Sequence, residues 1–229
     1  MNQFTILANE SLCNLKQGGI GMCLAHDTLA YYHSDYIGGQ GRYKIHGTIE
    51  NLICTFKNDI TRYSNDVLNS AMYDLAKIIA YDLLKISENH KSLLPITVCV
   101  IPRAKHEAYY RNDQKLFRQT ISKVIQLFEK NNLRFFIDGT HHIIRHTDTA
   151  TTHLSHNPLA NPGTGDMPYK GITRDTCQIS TEVHGKNILL IDDLYTKTVG
   201  IDEDAIQALY DNGANKVIFY SVGKTVSRY

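Results

Sequence analysis

Residues 187–222 read NILLIDDLYTKTVGIDEDAIQALYDNGANKVIFYSV, and the fold turns on how this stretch is parsed. Asn187 to Ile191 is a short continuous apolar run of the kind that forms a strand buried on both faces. Glu203 to Leu209 places Ala205, Ile206, Ala208 and Leu209 on one helical face, with Asn212-Gly213 as its stop. Val217 to Val222 is a second buried strand. A strand, a helix and a strand joined by short turns make a parallel pair with a right-handed crossover.

The same alternation runs upstream. Behind caps at Ser64 and Asn65, Val67, Leu68, Ala71, Met72, Leu75, Ile78, Ile79 and Leu83 recur at three- and four-residue steps, which predicts a helix with a core-facing side. Ile96 to Ile101 is a β-branched run ended by Pro102, a further buried strand. Leu116, Phe117, Ile121, Val124, Ile125 and Phe128 mark a second helix between Asp113 and Asn131. Arg134 to Ile137 and His142 to Arg145 are two more strand candidates. Helices alternating with buried strands predict an α/β fold, with a largely parallel sheet flanked by helices.

At 229 residues the chain suits one domain with an accessory segment as well as it suits two. Residues 1–45 are rich in glycine and read as short strands joined by turns, an N-terminal accessory segment; residues 46–229 form the α/β domain. Gly38-Gly39-Gln40-Gly41-Arg42 could cradle a phosphate, but no strand-to-helix context supports this and a turn is the better reading. From His146 to Thr173 periodicity vanishes, as in loops that close over a substrate. The 24 basic and 23 acidic residues give a net charge of +1, which makes no electrostatic case for a nucleic-acid or membrane-surface partner. No apolar run approaches a membrane span and the N-terminus lacks signal-peptide features. The cysteines (Cys13, Cys23, Cys54, Cys99, Cys177) are odd in number and never spaced CxxC, arguing against a disulfide framework and a zinc ribbon. A reducing cytoplasm is the expected compartment.

In an open parallel sheet, ligands bind at the carboxyl ends of the strands, where the next helix presents its N-terminus. Asp192 and Asp193 stand at such a strand end. Adjacent carboxylates there repel each other and resist desolvation, so a metal ion or a polyhydroxyl ligand is a natural compensation. The hydroxyls, lysine and glycine that follow, Thr196 to Gly200, suit a phosphate dianion at a helix N-terminus. The bland alternative is that Asp193 or Asp202 simply caps a helix or turns a loop.

The segment 187–214 resembles the phosphoribosyl-pyrophosphate binding motif of type I phosphoribosyltransferases: four apolar residues, two acids, then a Thr/Gly loop. The ComF-like members of that family are the nearest in pattern. Ile45 to Lys57 resembles the segment before their first core helix, and Val98 to Arg103 their first strand end. Arg145 with Thr147 to Leu154 resembles an arginine-containing loop, and Ser221 to Thr225 the closing strand. The resemblance implies that Asp192 and Asp193 bind ribose hydroxyls, directly or through water on Mg²⁺. It implies that Thr196, Lys197, Thr198 and Gly200 wrap a 5′-phosphate, and that Arg103 and Lys105 face the pyrophosphate, with Arg145 as a further catalytic cation. Cations there stabilise the charge that gathers on pyrophosphate as the anomeric C–O bond breaks.

Two departures stand out. The loop from Thr196 to Asp202 is one residue longer than the family pattern, and Asp202 falls where a threonine would touch phosphate, an unfavourable charge that Lys197 could offset. Many ComF-like proteins also carry a four-cysteine zinc module near the N-terminus, which Cys13 and Cys23 cannot build. Five of the eleven histidines, His141, His142, His146, His153 and His156, cluster, and the i, i+4 spacing of His142 and His146 could chelate a metal if helical, although loop character argues otherwise.

The expected function is therefore Mg²⁺-dependent transfer of a phosphoribosyl group from phosphoribosyl pyrophosphate, or from a ribose 5-phosphate nucleotide, to an acceptor base or amine. The alternative is a nucleotide-binding or regulatory module of the same fold without turnover, possibly an oligomer or part of a larger complex. A histidine-ligated metal hydrolase is a third.

Overall fold

The apolar run at 187–191 begins a nine-residue strand, β9 (Asn187–Tyr195), and Ile188 to Ile191 are no more than 1% exposed. The structure, a computed structural model, describes residues 1–39, 41–59, 61–151 and 165–226. Strand β9 lies inside a six-stranded sheet of order β1 (Asn2–Ile6), β4 (Thr28–Tyr36), β10 (Lys216–Thr225), β9, β5 (Ile96–Val100) and β6 (Phe136–Asp138). β4, β10, β9, β5 and β6 run parallel and only the edge strand β1 is antiparallel. The α/β class with a largely parallel sheet is thus observed.

Helices cover both faces. α1 (Ile49–Lys57), α2 (Asn65–Asn89) and α3 (Leu116–Lys130) pack on one side. α5 (Ile201–Asp211), the crossover between β9 and β10, packs on the other. The cap expected at Ser64 is present, its side chain accepting from the Val67 N–H. The predicted face of α2 is buried at Leu68, Ala71, Leu75, Ile79 and Leu83, whereas Val67 turns out to solvent.

Because side chains alternate along a strand, β9 distributes its residues by parity. Leu189 and Ile191 join the core beneath α1–α3, while Ile188 and Leu190 join the core beneath α5. The strand runs on past Ile191, with Asp192 opposite Ser221 and Leu194 opposite Gly223 in the ladder to β10. β5 ends sooner, with Val100 opposite Ile191, and Pro102 follows it. Beyond Ile191, β9 therefore has a strand neighbour on one side only. This opens the crevice where ligands of parallel sheets bind.

The N-terminal segment holds the short strands and turns expected, but also the nine-residue β4, which enters the main sheet between β1 and β10. Gly39 and Gly41 both stand at positive φ, and the Arg42 N–H donates to the Gly39 carbonyl at 3.3 Å, as in a turn. β2 (Leu12–Asn14) and β3 (Ile20–Met22) form a separate hairpin. The expectation about cysteines is corrected here. Cys13 and Cys23 form a disulfide with a Cα–Cα distance of 5.6 Å. The hairpin reverses at Gly18-Gly19, both at positive φ, and Cys13 pairs with Gly21, so the chain carries Cys23 back beside Cys13. Disulfides are rare in the cytosol, so the cysteine count no longer argues for that compartment. Among the described residues, no helix is long and apolar enough to cross a membrane.

β7 (Ile143–Arg145) and β8 (Cys177–Ile179) make a third, two-stranded sheet, with the short α4 (Ile172–Thr176) leading directly into β8. Much of the stretch expected to form a substrate loop, including His153 and His156, lies outside the described residues.

Candidate functional site

Parity separates the two acids that end β9. Asp193 continues the α1–α3 side and its Oδ2 meets Lys57 Nζ, at the last residue of α1, at 2.7 Å. Asp192 continues the α5 side and hydrogen-bonds Asp202 in the first turn of that helix. A backbone bond from the Asp193 N–H to Asp192 Oδ1 at 2.7 Å links the two. One acid is thus balanced by an ammonium on one face of the sheet, the other by a second carboxyl group on the opposite face.

A cavity of about 290 Å³ opens over this strand end, lined among others by Lys57, Arg103, Arg145, Asp192, Asp193 and Thr196. It sits at the lower edge of the roughly 300–1,000 Å³ usual for small-molecule sites. Phe56 and Phe117, stacked with ring centroids 5.1 Å apart, form part of its apolar wall.

The cations are held firmly. Arg103, just past the end of β5, donates from Nη1 to the carbonyls of Lys57 at 3.0 Å and Gln114 at 2.8 Å. Its Nη2 pairs with Asp59, and its guanidinium lies 4.3 Å from the Tyr110 ring centre. Arg145, 4% exposed at the end of β7, donates from Nε to the Arg103 carbonyl at 2.7 Å and from Nη1 to Thr176 Oγ1 at 2.6 Å. Arg145 thereby fixes the backbone that carries Arg103.

Four acids at and just after the end of β9 are held above the ordinary carboxylate range. Burial, reinforced by the Asp193 charge, pushes the Asp192 carboxyl up to about 7. Burial and the Asp192 charge raise Asp202 well above the usual carboxylate range, and Asp202 Oδ1 has no hydrogen-bond partner. A carboxyl raised in this way carries its charge less readily, which weakens the repulsion expected between Asp202 and a phosphate. Burial also raises Glu203, which accepts from Tyr195 OH at 2.8 Å, and Asp204, which accepts from the Thr173 N–H at 2.8 Å. Burial lowers the Lys57 ammonium, but the Asp193 charge and hydrogen bond, and then Asp192, hold it above its ordinary value.

Among the residues singled out in the sequence, Asp192, Asp193, Thr196, Arg103 and Arg145 come together around one cavity. Thr196 Oγ1 shares a hydrogen bond with Thr225 Oγ1 at 2.8 Å. Lys197 points away and pairs with Glu10, so it does not offset Asp202. Thr198 is exposed on the loop. Gly200, in the left-handed region at φ 76°, is the N-cap of α5, and a Cβ there would come 2.9 Å from Cys13 Sγ. Lys105 lines an adjoining cavity, 3.9 Å from Asp148. Lys57, Asp59 and Tyr110 were not anticipated. A lysine ending the helix that precedes the first core strand was the available signal for the first.

The magnesium ion implied by the resemblance does not fit these side chains as placed. Asp193 is already paired with an ammonium, and Asp192 already accepts from Asp202 and from a backbone N–H. Among the described residues, no group of three or more His, Cys, Asp or Glu side chains is disposed to hold a metal. His142 and His146 flank an extended strand, not a helix, which puts them about 13 Å apart at ~3.3 Å per residue. His142 instead approaches Glu182 at 3.9 Å, and His146 bonds Thr147. Burial pushes the Cys99 thiol up to about 12 and raises Cys177 and Cys54, so none of these three is an activated nucleophile. No family model matches the chain, and no curated protein matches its sequence.

Proposed function

We propose that the protein binds a ribose 5-phosphate compound, phosphoribosyl pyrophosphate or a nucleotide, at the end of β9, and that it is a phosphoribosyltransferase-like protein. The observation that carries this reading is the joint placement of Asp192 and Asp193 at the carboxyl end of a central parallel strand, over a cavity that also takes in Thr196, Arg103 and Arg145. Carboxylates at a strand mouth accept hydrogen bonds from vicinal hydroxyls, which a ribose supplies. The N-terminus of α5 beyond Gly200 offers a positive dipole end to its phosphate. Because burial and the Asp192 charge raise the Asp202 carboxyl, that end is less hostile to an anion than the sequence suggests.

In the transfer reaction a base or amine nitrogen attacks the anomeric carbon, and pyrophosphate leaves with the electron pair of the C–O bond. Of the cations in the cavity wall, Lys57, Arg103 and Arg145, the first two would meet the leaving charge, Arg145 being held by the Arg103 carbonyl and Thr176. A binding or regulatory role without turnover is the second reading. It is favoured by the Arg103 guanidinium, whose hydrogen bonds to Asp59, Lys57 and Gln114 leave it committed to the protein.

Isothermal titration with ribose 5-phosphate and phosphoribosyl pyrophosphate tests the binding claim. Saturable heat that Asp192→Asn abolishes supports it, and no heat at millimolar ligand overturns it. Release of pyrophosphate with candidate bases or amines separates the transferase from the binding module.

A further inference from the structure

We propose that the ammonium of Lys57 takes the place a divalent cation would occupy at the acidic end of β9, so that ligand binding there needs no metal ion. The pairing is built into the fold and is not a chance surface contact. Lys57 Nζ and Asp193 Oδ2 are 2.7 Å apart, with side chains only 20% and 14% exposed.

The end of α1 is fixed around this lysine from several directions. Asn58, 1% exposed and in the left-handed region at φ 50°, caps the helix through its N–H on the Cys54 carbonyl at 3.2 Å. The Asn58 Oδ1 accepts from the Tyr63 N–H at 3.0 Å, and the Lys57 carbonyl accepts from Arg103. The C-terminal end of a helix favours a cation, and Asp192 adds a second negative charge nearby.

A hard divalent ion asks for several free oxygen ligands and tolerates no ammonium among them. Here Asp193 is already paired with Lys57, and Asp192 Oδ1 already accepts from the Asp193 N–H at 2.7 Å. An ammonium has three N–H donors. One serves Asp193, and because Lys57 lines the cavity the others are disposed toward a hydroxyl or phosphate oxygen bound there. The ligand half of this inference rests on the reading proposed above; the statement that Lys57 holds the cation position does not.

The test uses Mn²⁺ as the metal probe, followed by electron paramagnetic resonance, on the wild type and on Lys57→Met, which keeps the length of the side chain and removes its charge. The expected result is no stoichiometric Mn²⁺ on the wild type and one bound Mn²⁺ on Lys57→Met, since Asp193, freed of the ammonium, and the adjacent Asp192 then offer their oxygens to a cation whose remaining ligands are water. Stoichiometric Mn²⁺ on the wild type, or none on a Lys57→Met chain that melts cooperatively, overturns the proposal. Should Lys57→Met fail to fold, Lys57→Gln serves in its place: one bound Mn²⁺ supports the proposal and none overturns it.

In parallel, ribose 5-phosphate is titrated into the wild type with chelator and with Mg²⁺. Equal affinity in both is expected, and a tightening of roughly tenfold or more by Mg²⁺ overturns metal independence. If the wild type binds no ribose 5-phosphate at all, the functional reading fails while the Mn²⁺ arms still judge Lys57.

Discussion

Replacing Asp202 by asparagine should make the protein more stable at neutral and alkaline pH, the reverse of what deleting a buried polar partner usually does. In the wild type Asp192 and the buried Asp202 beside it are both raised, so the folded pair holds a proton more tightly than the unfolded chain does. Both carboxyls bind that proton more tightly folded than unfolded, so their contribution is complete below about pH 4 and is lost as pH rises through the folded value. For Asp192 the folded value is about 7 against an ordinary 3.8, which at ~1.4 kcal/mol per tenfold caps the effect at about 4 kcal/mol.

An asparagine at 202 still donates to Asp192 but carries no proton to lose. The difference in unfolding free energy between the two chains should therefore be small near pH 4. It should grow to between ~1 and about 4 kcal/mol in favour of Asp202→Asn near pH 8. Urea denaturation of both chains across that range is the assay. Comparing chains cancels the opposite pH dependence of Glu50 and Asp138. Their carboxyls, in spite of burial, are held below the ordinary range by Arg42 and by Ser122 and Thr140 respectively. Parallel pH profiles, or a variant less stable than wild type near pH 8, would refute the raised carboxyls of Asp192 and Asp202.

Asp193→Asn strands the Lys57 ammonium in a mostly buried position. It should cost about 2 kcal/mol in urea denaturation, less than the ~3–5 kcal/mol of a fully buried pair because both partners keep some solvent. Tyr220→Phe removes the hydroxyl that donates to Asp82 Oδ2 at 2.9 Å, leaving His33 as its partner on that oxygen. The expected loss is about 1.5–3 kcal/mol, the usual worth of a hydrogen bond to a charged group, read from the same denaturation curves. Thiol titration in denaturant should find three reactive groups without reductant, from Cys54, Cys99 and Cys177, and two more after reduction as the Cys13–Cys23 bridge opens. Five at the outset would contradict the bridge.

The sheet and its helices were legible because their signal is local. Ile96 to Val100 and Ile188 to Ile191 are apolar on both faces, and the helical spacing from Leu68 to Leu83 fits a single buried stripe. The mouth of β9 was legible for the same reason, as two acids directly after a buried run. What surrounds those acids depends on parity and on contacts distant in sequence, which no spacing displays. Lys57 reaches Asp193 across more than a hundred residues, and Asp202 meets Asp192 only because α5 folds back along the sheet. Lys197 was read as part of the phosphate loop, but its partner Glu10 belongs to the N-terminal segment, whose glycine-rich turns carry no periodicity. The Cys13–Cys23 bridge was hidden likewise, since ten residues and a Gly18-Gly19 reversal separate the pair.

The central claim is that a ribose 5-phosphate group is held between the acids of β9 and the start of α5. Crystals of the wild type soaked in ribose 5-phosphate test it most directly. Density is expected in the cavity, with ribose hydroxyls on Asp192 or Asp193 and the phosphate between Thr196 and the N-terminus of α5. An empty cavity at saturating ligand, or density bound elsewhere on the protein, would contradict it.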